Sequence, residues 1–325
     1  MIPLVFVFLY ELSFIISRRT YNAEDVKRLA VFSSRKGRLR ISMKAKNRAC
    51  HRGYVACFFR LFKITMLRMM SLLQLKSKNE IQRMQEAGEL LAHCHSEIKK
   101  KIKPGVTTDE IEAFVESFLA EHGATAEQKG YQGYKYATCA SVNDEICHGF
   151  PRSTPLKSGD IVTIDMVVNL NGWLADSAWS YAVGEISAEA QHLLRVTEEA
   201  LYRGIKEARI GNRIGDIGYA IQTYAESEDL SVVRDFVGHG IGPTIHEEPQ
   251  VPHYGISGKG LRLKEGMVLT IEPMLNIGDW RSKLDDNGWT ARTEDGSLSA
   301  QYEHTIAITK GEPVILTAME KSSQA

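Results

Sequence analysis

The sequence has 325 residues, 43% hydrophobic and 25% charged, an ordinary globular composition long enough to bury a substantial core. Its zero net charge hides an asymmetry. Residues 1–70 carry 15 Lys/Arg against 3 Asp/Glu, a net of +12, and the other 255 carry 25 against 37, a net of −12. The acidic majority repels phosphate, which argues against nucleic acid as its partner and suits a domain that gathers carboxylates around cations.

Residues 2–17 form an apolar run broken by Glu11. The run is shorter than the ~20 residues of a membrane-spanning helix and lacks the positive start of a signal peptide. Arg18 to Arg60 is basic and contains several serines, without a clean amphipathic period. Residues 1–70 are therefore expected to be a basic extension, either a disordered arm or an over-long start, since Met66, Met69 and Met70 directly precede a helix signal. A targeting segment is the alternative. The five cysteines (Cys50, Cys57, Cys94, Cys139 and Cys147) are odd in number and contain no CxxC pair. They suggest a reducing compartment, the cytoplasm, rather than a disulfide framework.

Residues 71–325 are expected to form one catalytic domain. Ser77-Lys78-Asn79-Glu80 is a capping box, followed by Ile81, Met84, Ala87, Leu90 and Leu91 at helical spacing. Pro104-Gly105 ends that helix, and Thr107 to Glu110 starts another with Ile111, Phe114, Val115 and Phe118 inward. His93-Cys94-His95 resembles a metal clip, but adjacent helical residues face different directions, so it is expected at the surface and the edge of the core. Strands and helices mix through the rest of the chain, which places it in the α+β or mixed α/β class.

Ile161 to Leu170 is expected to be a strand, Asn171-Gly172 a tight turn, and Trp173 to Val183 the return strand. A two-residue loop puts Leu170 opposite Trp173 and Asp176 opposite Val167. Asp165 and Asp176 then share a face as diagonal neighbours, about 7–8 Å apart at the backbone, and can converge on one cation. Asp165 lies in an apolar run, and a buried carboxylate requires a partner. His239 sits among glycines, Glu272 ends an apolar strand and Glu303 begins another. Four carboxylates and one imidazole suit hard or borderline divalent ions. Their charge matches two such ions better than one, the stoichiometry of a dinuclear hydrolytic site.

From Leu75 to Leu316 the ordered motifs resemble those of the methionine aminopeptidases of the pita-bread metallopeptidase family. They are Cys147-His148-Gly149, the Asp165/Asp176 hairpin, Gly238 to Gly242, His246 to Pro249, Ile271 to Met274 and Gln301 to Thr305. The short interval from His239 to Glu272 resembles type I enzymes. The resemblance implies an α+β fold with a central antiparallel sheet, flanking helices and pseudo-twofold halves. It implies removal of N-terminal methionine, with a small second residue preferred, by two divalent ions of Co, Mn, Fe or Zn. Asp165 would hold one ion, His239 and Glu272 the other, and Asp176 and Glu303 both. His148 and His246 would act on the substrate, and Glu272 would move the proton. Tyr131, Tyr134, Cys139 and Trp289 would line the methionine pocket, where Ile245 replaces the aromatic residue of several relatives. The expected partners are nascent polypeptide N-termini and the ribosome, with no DNA, for a monomer. The rival readings are a proline-specific peptidase with the same ligands and a metal-free binding protein on the same fold.

Overall fold

The computed structural model describes residues 73–318, together with the backbone of an antiparallel hairpin, β1 (Ala30–Arg35) and β2 (Arg38–Met43). Contacts divide the chain into Met1–Met70 and Ser71–Ala325. The apolar run at residues 2–17 and most of the basic stretch lie outside the described residues.

In the second unit, α1 (Lys78–Lys101) and α2 (Thr108–Glu121) each begin with a complete capping box. The Ser77 N–H donates to Glu80 Oε2 at 2.6 Å and the Thr107 N–H to Glu110 Oε2 at 2.7 Å. Each cap contributes about 1 kcal/mol and sets where its helix starts. Of the His93-Cys94-His95 triplet, His93 is exposed, but Cys94 and His95 are buried more deeply than expected. The His95 ring is satisfied by the Tyr181 hydroxyl at 2.9 Å and the Ser177 carbonyl at 3.1 Å.

These helices cover a sheet made of β3 (Thr125–Ala126), β4 (Cys139–Val142), β6 (Ile161–Leu170) and β7 (Trp173–Ala182). Between them, β5 (Glu145–Cys147) joins another sheet. β6 and β7 pair over their whole length in the expected register, Leu170 opposite Trp173 and Val167 opposite Asp176. The turn residues Asn171 and Gly172 both have positive φ, 53° and 83°, as a tight twisted hairpin requires. β6 has partners on both edges, and its apolar side chains are buried on both faces.

A second helix pair, α3 (Ala188–Glu207) and α4 (Ile214–Ser227), shares the core of the other half. There β8 (Ser231–Val232) is followed by β9 (Gly238–Gly240), β10 (Glu247–Val251), β11 (Val268–Ile271) and β12 (Met274–Asn276). The short strands β13 (Ser282–Leu284), β14 (Ala291–Thr293), β15 (Ser299–Gln301), β16 (His304–Ala307) and β17 (Val314–Ile315) complete it. The largest sheet of this half runs β10-β9-β11-β16-β17. Each half thus packs two helices on antiparallel strands, the α+β arrangement expected.

Hydroxyl groups join the halves. Asp176 N–H donates to Thr305 Oγ1 at 2.9 Å, Ser177 Oγ to the Glu303 carbonyl at 2.9 Å, and Gln301 N–H to Ser180 Oγ at 3.1 Å. Those bonds, with Glu303 N–H donating to the Ala178 carbonyl at 2.8 Å, bring β7 against the segment that carries Glu303.

Candidate metal centre and substrate cleft

Five segments deliver the five expected ligands to one place. Asp165 and Asp176 come from facing strands, close enough that each carboxylate disfavours ionisation of the other. His239 stands between two glycines on β9. A Cβ on Gly238 would lie 2.5 Å from the Thr270 carbonyl, so close strand packing leaves no room for a larger residue there. Glu272 follows the last residue of β11, and Glu303 precedes β16.

Ligand atoms of Asp176, His239 and Glu303 all lie within 4.8 Å of one another. Glu272 Oε1 joins them, 3.7 Å from His239 Nε2, which is also 3.7 Å from Asp176 Oδ2. Asp165 enters through its contact with Asp176 and keeps partial exposure. Asp165 and Glu272 therefore flank the tightest group.

The electrostatics of this cluster are unusual. Burial and mutual repulsion push Asp176 and Glu303 well above the ordinary carboxylate range. Burial raises Asp165 to about 7 and Glu272 to about 8. Asp176 Oδ1 and Glu303 Oε1 are buried with no hydrogen-bond donor. Among the described residues, the one basic side chain within 4 Å of these carboxylates is His239, and burial holds it neutral, with its pKa near 3. Orphaned carboxylate oxygens without a Lys or Arg partner fit a site for cations.

His239 presents the correct atom to such a cation. Its Nδ1 lies 2.9 Å from the Gly240 carbonyl, which can only accept, so Nδ1 carries the proton and Nε2 offers a lone pair toward the carboxylates. The Thr270 hydroxyl accepts from the His239 N–H at 2.9 Å and donates to Glu272 Oε1 at 2.7 Å, which orients both side chains. The sequence reading missed Thr270, although it lies two residues before Glu272 and so on the same face of the strand. It also missed His253, whose Nε2 accepts from the Glu272 N–H at 3.0 Å.

Beside the cluster lies a cleft of about 470 Å³, lined by His239, Thr244, His246, Glu247, Glu248 and Gln74 among others. The His246 ring stands 4.4 Å from that of His239, centre to centre, and its Nδ1 meets the Tyr131 hydroxyl at 2.9 Å. His148 is half-buried, with φ of 56°, and burial lowers its pKa to about 4. Its ring meets Phe236 edge-on at 5.6 Å and Trp289 at 6.3 Å, and Trp289 meets Tyr134 at 5.0 Å.

The Tyr134 hydroxyl donates to the Thr138 carbonyl at 3.0 Å and to the Gly149 carbonyl at 3.2 Å, beside Cys139, which faces Asp165 across β4 and β6. Tyr134, Cys139, Trp289 and His148 thus form one linked wall, whereas Tyr131 reaches His246 instead. Phe236 belongs to that wall and was not singled out in the sequence, because one phenylalanine before a glycine run gives no signal of its own. Ile245 is buried in the apolar cluster that also contains Ile241 and Val268.

Known proteins share this fold and much of this sequence. The sequence pattern of metallopeptidase family M24 matches residues 82–310. A methionine aminopeptidase of Clostridium perfringens is 50% identical over 246 residues, covering 76% of this chain and 99% of that protein. Methionine aminopeptidase 1 of Bacillus subtilis is 51% identical over 242 residues, covering 74% and 98%. The crystal structure of methionine aminopeptidase from Rickettsia prowazekii superposes with a TM-score of 0.75 at 43% identity, covering 76% of this chain and 100% of that one. A prolidase of Pyrococcus furiosus, at 23% identity and a TM-score of 0.60 over 76% of this chain and 66% of that one, shares the fold alone.

Proposed function

This chain belongs to metallopeptidase family M24, and we propose that it removes N-terminal methionine from peptides and nascent chains at a two-cation centre built from Asp165, Asp176, His239, Glu272 and Glu303. The fold is the pita-bread fold of these peptidases. The observation that carries the reading is the convergence of buried carboxylates, two of them with orphaned oxygens, around a neutral imidazole beside an open cleft. In this reading Asp165 would help hold one cation and His239 and Glu272 the other, with Asp176 and Glu303 serving both. Divalent ions of Co, Mn, Fe or Zn bound there would supply Lewis acidity and lower the pKa of water toward neutrality.

The protein groups then divide the work. Water adds to the carbonyl carbon of the first peptide bond. Glu272 takes its proton and delivers it to the departing amine as the C–N bond breaks. His246 donates to the oxygen that gains charge, and the Tyr131 hydroxyl fixes its ring. His148, neutral because burial lowers its pKa, contacts the scissile amide. Tyr134, Cys139 and Trp289 give the methionine thioether a soft, aromatic surface. The substrates are N-termini of nascent chains, and contact with the ribosome, action as a monomer and a cytoplasmic location complete the reading. Among the described residues no helix is long and apolar enough to cross a membrane.

A peptide series of Met-Ala, Met-Gly, Met-Leu and Ala-Pro tests the reading on protein loaded with Mn²⁺ or Co²⁺. Met-Ala and Met-Gly should be cleaved fastest, because a filled methionine pocket leaves little room beside the scissile carbonyl. Preference for Ala-Pro would assign the chain to proline-specific chemistry instead.

A further inference from the structure

The turn that carries His246 rests on a buried ion pair whose cation comes from a distant segment. The Glu247 carboxylate pairs with the Lys76 ammonium, and the two side chains are only 6% and 3% exposed. Lys76 immediately precedes Ser77, the cap of α1. Its N–H donates to the Gly266 carbonyl at 2.7 Å, and Leu73 forms a parallel bridge with Glu248. Residues 73–76 thus lie as a strap along β10, and Gln74 lines the same cleft as His246.

Glu247 in turn holds the segment before it. Its Oε1 accepts from the Thr244 hydroxyl at 3.3 Å, while the Gly242 N–H donates to the Thr244 carbonyl at 3.2 Å. A Cβ on Gly242 would lie 2.5 Å from both Glu247 Oε1 and Lys76 Cε, so the turn is folded directly onto the ion pair. A buried carboxylate keeps such a geometry only while its counter-charge is present. His246 is the residue adjacent to Glu247, at the end of that turn.

We propose that Lys76 is a positioning residue: through Glu247 it fixes the Gly242–His246 turn and hence the direction from which the His246 ring meets the scissile carbonyl. The inference rests on the role given to His246 above, and a double-mutant cycle separates the two. Lys76→Met alone leaves Glu247 buried without a counter-charge, so the charge-free pair Lys76→Met/Glu247→Gln is the better probe. It is measured on Met-Ala peptides with and without His246→Ala, alongside metal content and melting temperature.

The pair variant should fold, keep its metal and KM, and lose about 10–100-fold in kcat, the scale of a misplaced catalytic group. With His246→Ala present, the same change should cost less than about 2-fold, because the two act as one unit. An unaltered kcat in the pair variant overturns the inference. So does an equal loss in the His246→Ala background, or loss of folding or metal, each of which assigns the ion pair to general stability. If His246→Ala alone leaves kcat intact, the role of His246 fails first, a result distinct from a silent pair variant.

Discussion

Glu303 shows how a single side chain can serve the site and oppose the fold. Its backbone is tied on both sides, the N–H to the Ala178 carbonyl and the carbonyl to the Ser177 hydroxyl, while Oε1 is buried without a donor. Glu303→Ala should therefore bring metal occupancy below two ions per chain and abolish turnover, and Asp176→Ala should do the same. The metal-free Glu303→Ala protein should melt no lower than the parent, since an unsatisfied buried carboxyl costs about 1–3 kcal/mol. Elemental analysis with calorimetry checks both statements, and full two-ion occupancy in an active Glu303→Ala protein would remove Glu303 from the ligand set. Asp165 was legible in the sequence as a proposed ligand because a carboxylate in an apolar strand is costly without a partner, whereas His239, Glu272 and Glu303 gained weight only together. Thr270 and His253 were not, because a threonine or a histidine in a strand is unremarkable until its hydrogen-bond partners are known.

At the scale of elements, the sequence carried the β6–β7 hairpin down to its register, the Ser77–Glu80 capping box to the residue and the start of the second helix at Thr107 to Glu110, whose capping box the structure adds. The structure assigns that register to more than the turn. β6 is paired on both edges, and Ser177 and Ser180 tie β7 to the Gln301–Glu303 segment. Gly172→Val should then strain the positive φ by about 1–2 kcal/mol and lower the melting temperature by about 2–8 °C. Metal stoichiometry should stay unchanged, since Asp165 and Asp176 remain on one face. Loss of metal would mean that the Asn171-Gly172 turn alone holds the register. The short strands β12 to β15 had no comparable signal. Strands of three residues are too brief for alternation to declare itself, and their pairing is set by distant partners such as β5 and β8.

For the whole molecule, charge and protons set the terms. The described catalytic unit begins within Ser71–Ala325, so a chain starting at Met69 should bind two metals and cleave Met-Ala at the full rate. One starting at Ser77 lacks Lys76 and should turn over more slowly. Steady-state assays compare the two, and a large loss on removing residues 1–68 would give the basic extension a catalytic role. The stability of the metal-free protein should also depend on pH in a definite way. Burial lowers His95 and His148 to about 4, and His239, His253 and His304 to about 3. Their stabilising effect is complete above the ordinary histidine value of about 6.5 and is lost as pH falls through the folded values. The carboxylates act oppositely. Asp165 is raised to about 7, Glu272 to about 8, and Asp176 and Glu303 well above their usual range. The folded chain holds protons there that the unfolded chain has released, so stability present below about pH 4 is lost as pH rises. Between about pH 4 and 6.5 the two trends oppose each other. From about 6.5 to 8 the histidine contribution is constant and the carboxylates act alone, so stability should fall by up to about 1.4 kcal/mol per pH unit for each proton held, and the melting temperature with it. Saturating Mn²⁺ or Zn²⁺ should abolish that fall, because the cations replace protons as counter-charge and stabilise the folded state by mass action. Calorimetry from pH 6 to 8.5, with chelator and with metal, reads both curves. A metal-free curve that stays flat or rises would mean that the carboxylates are ionised and balanced by protein groups, against a centre made for two cations.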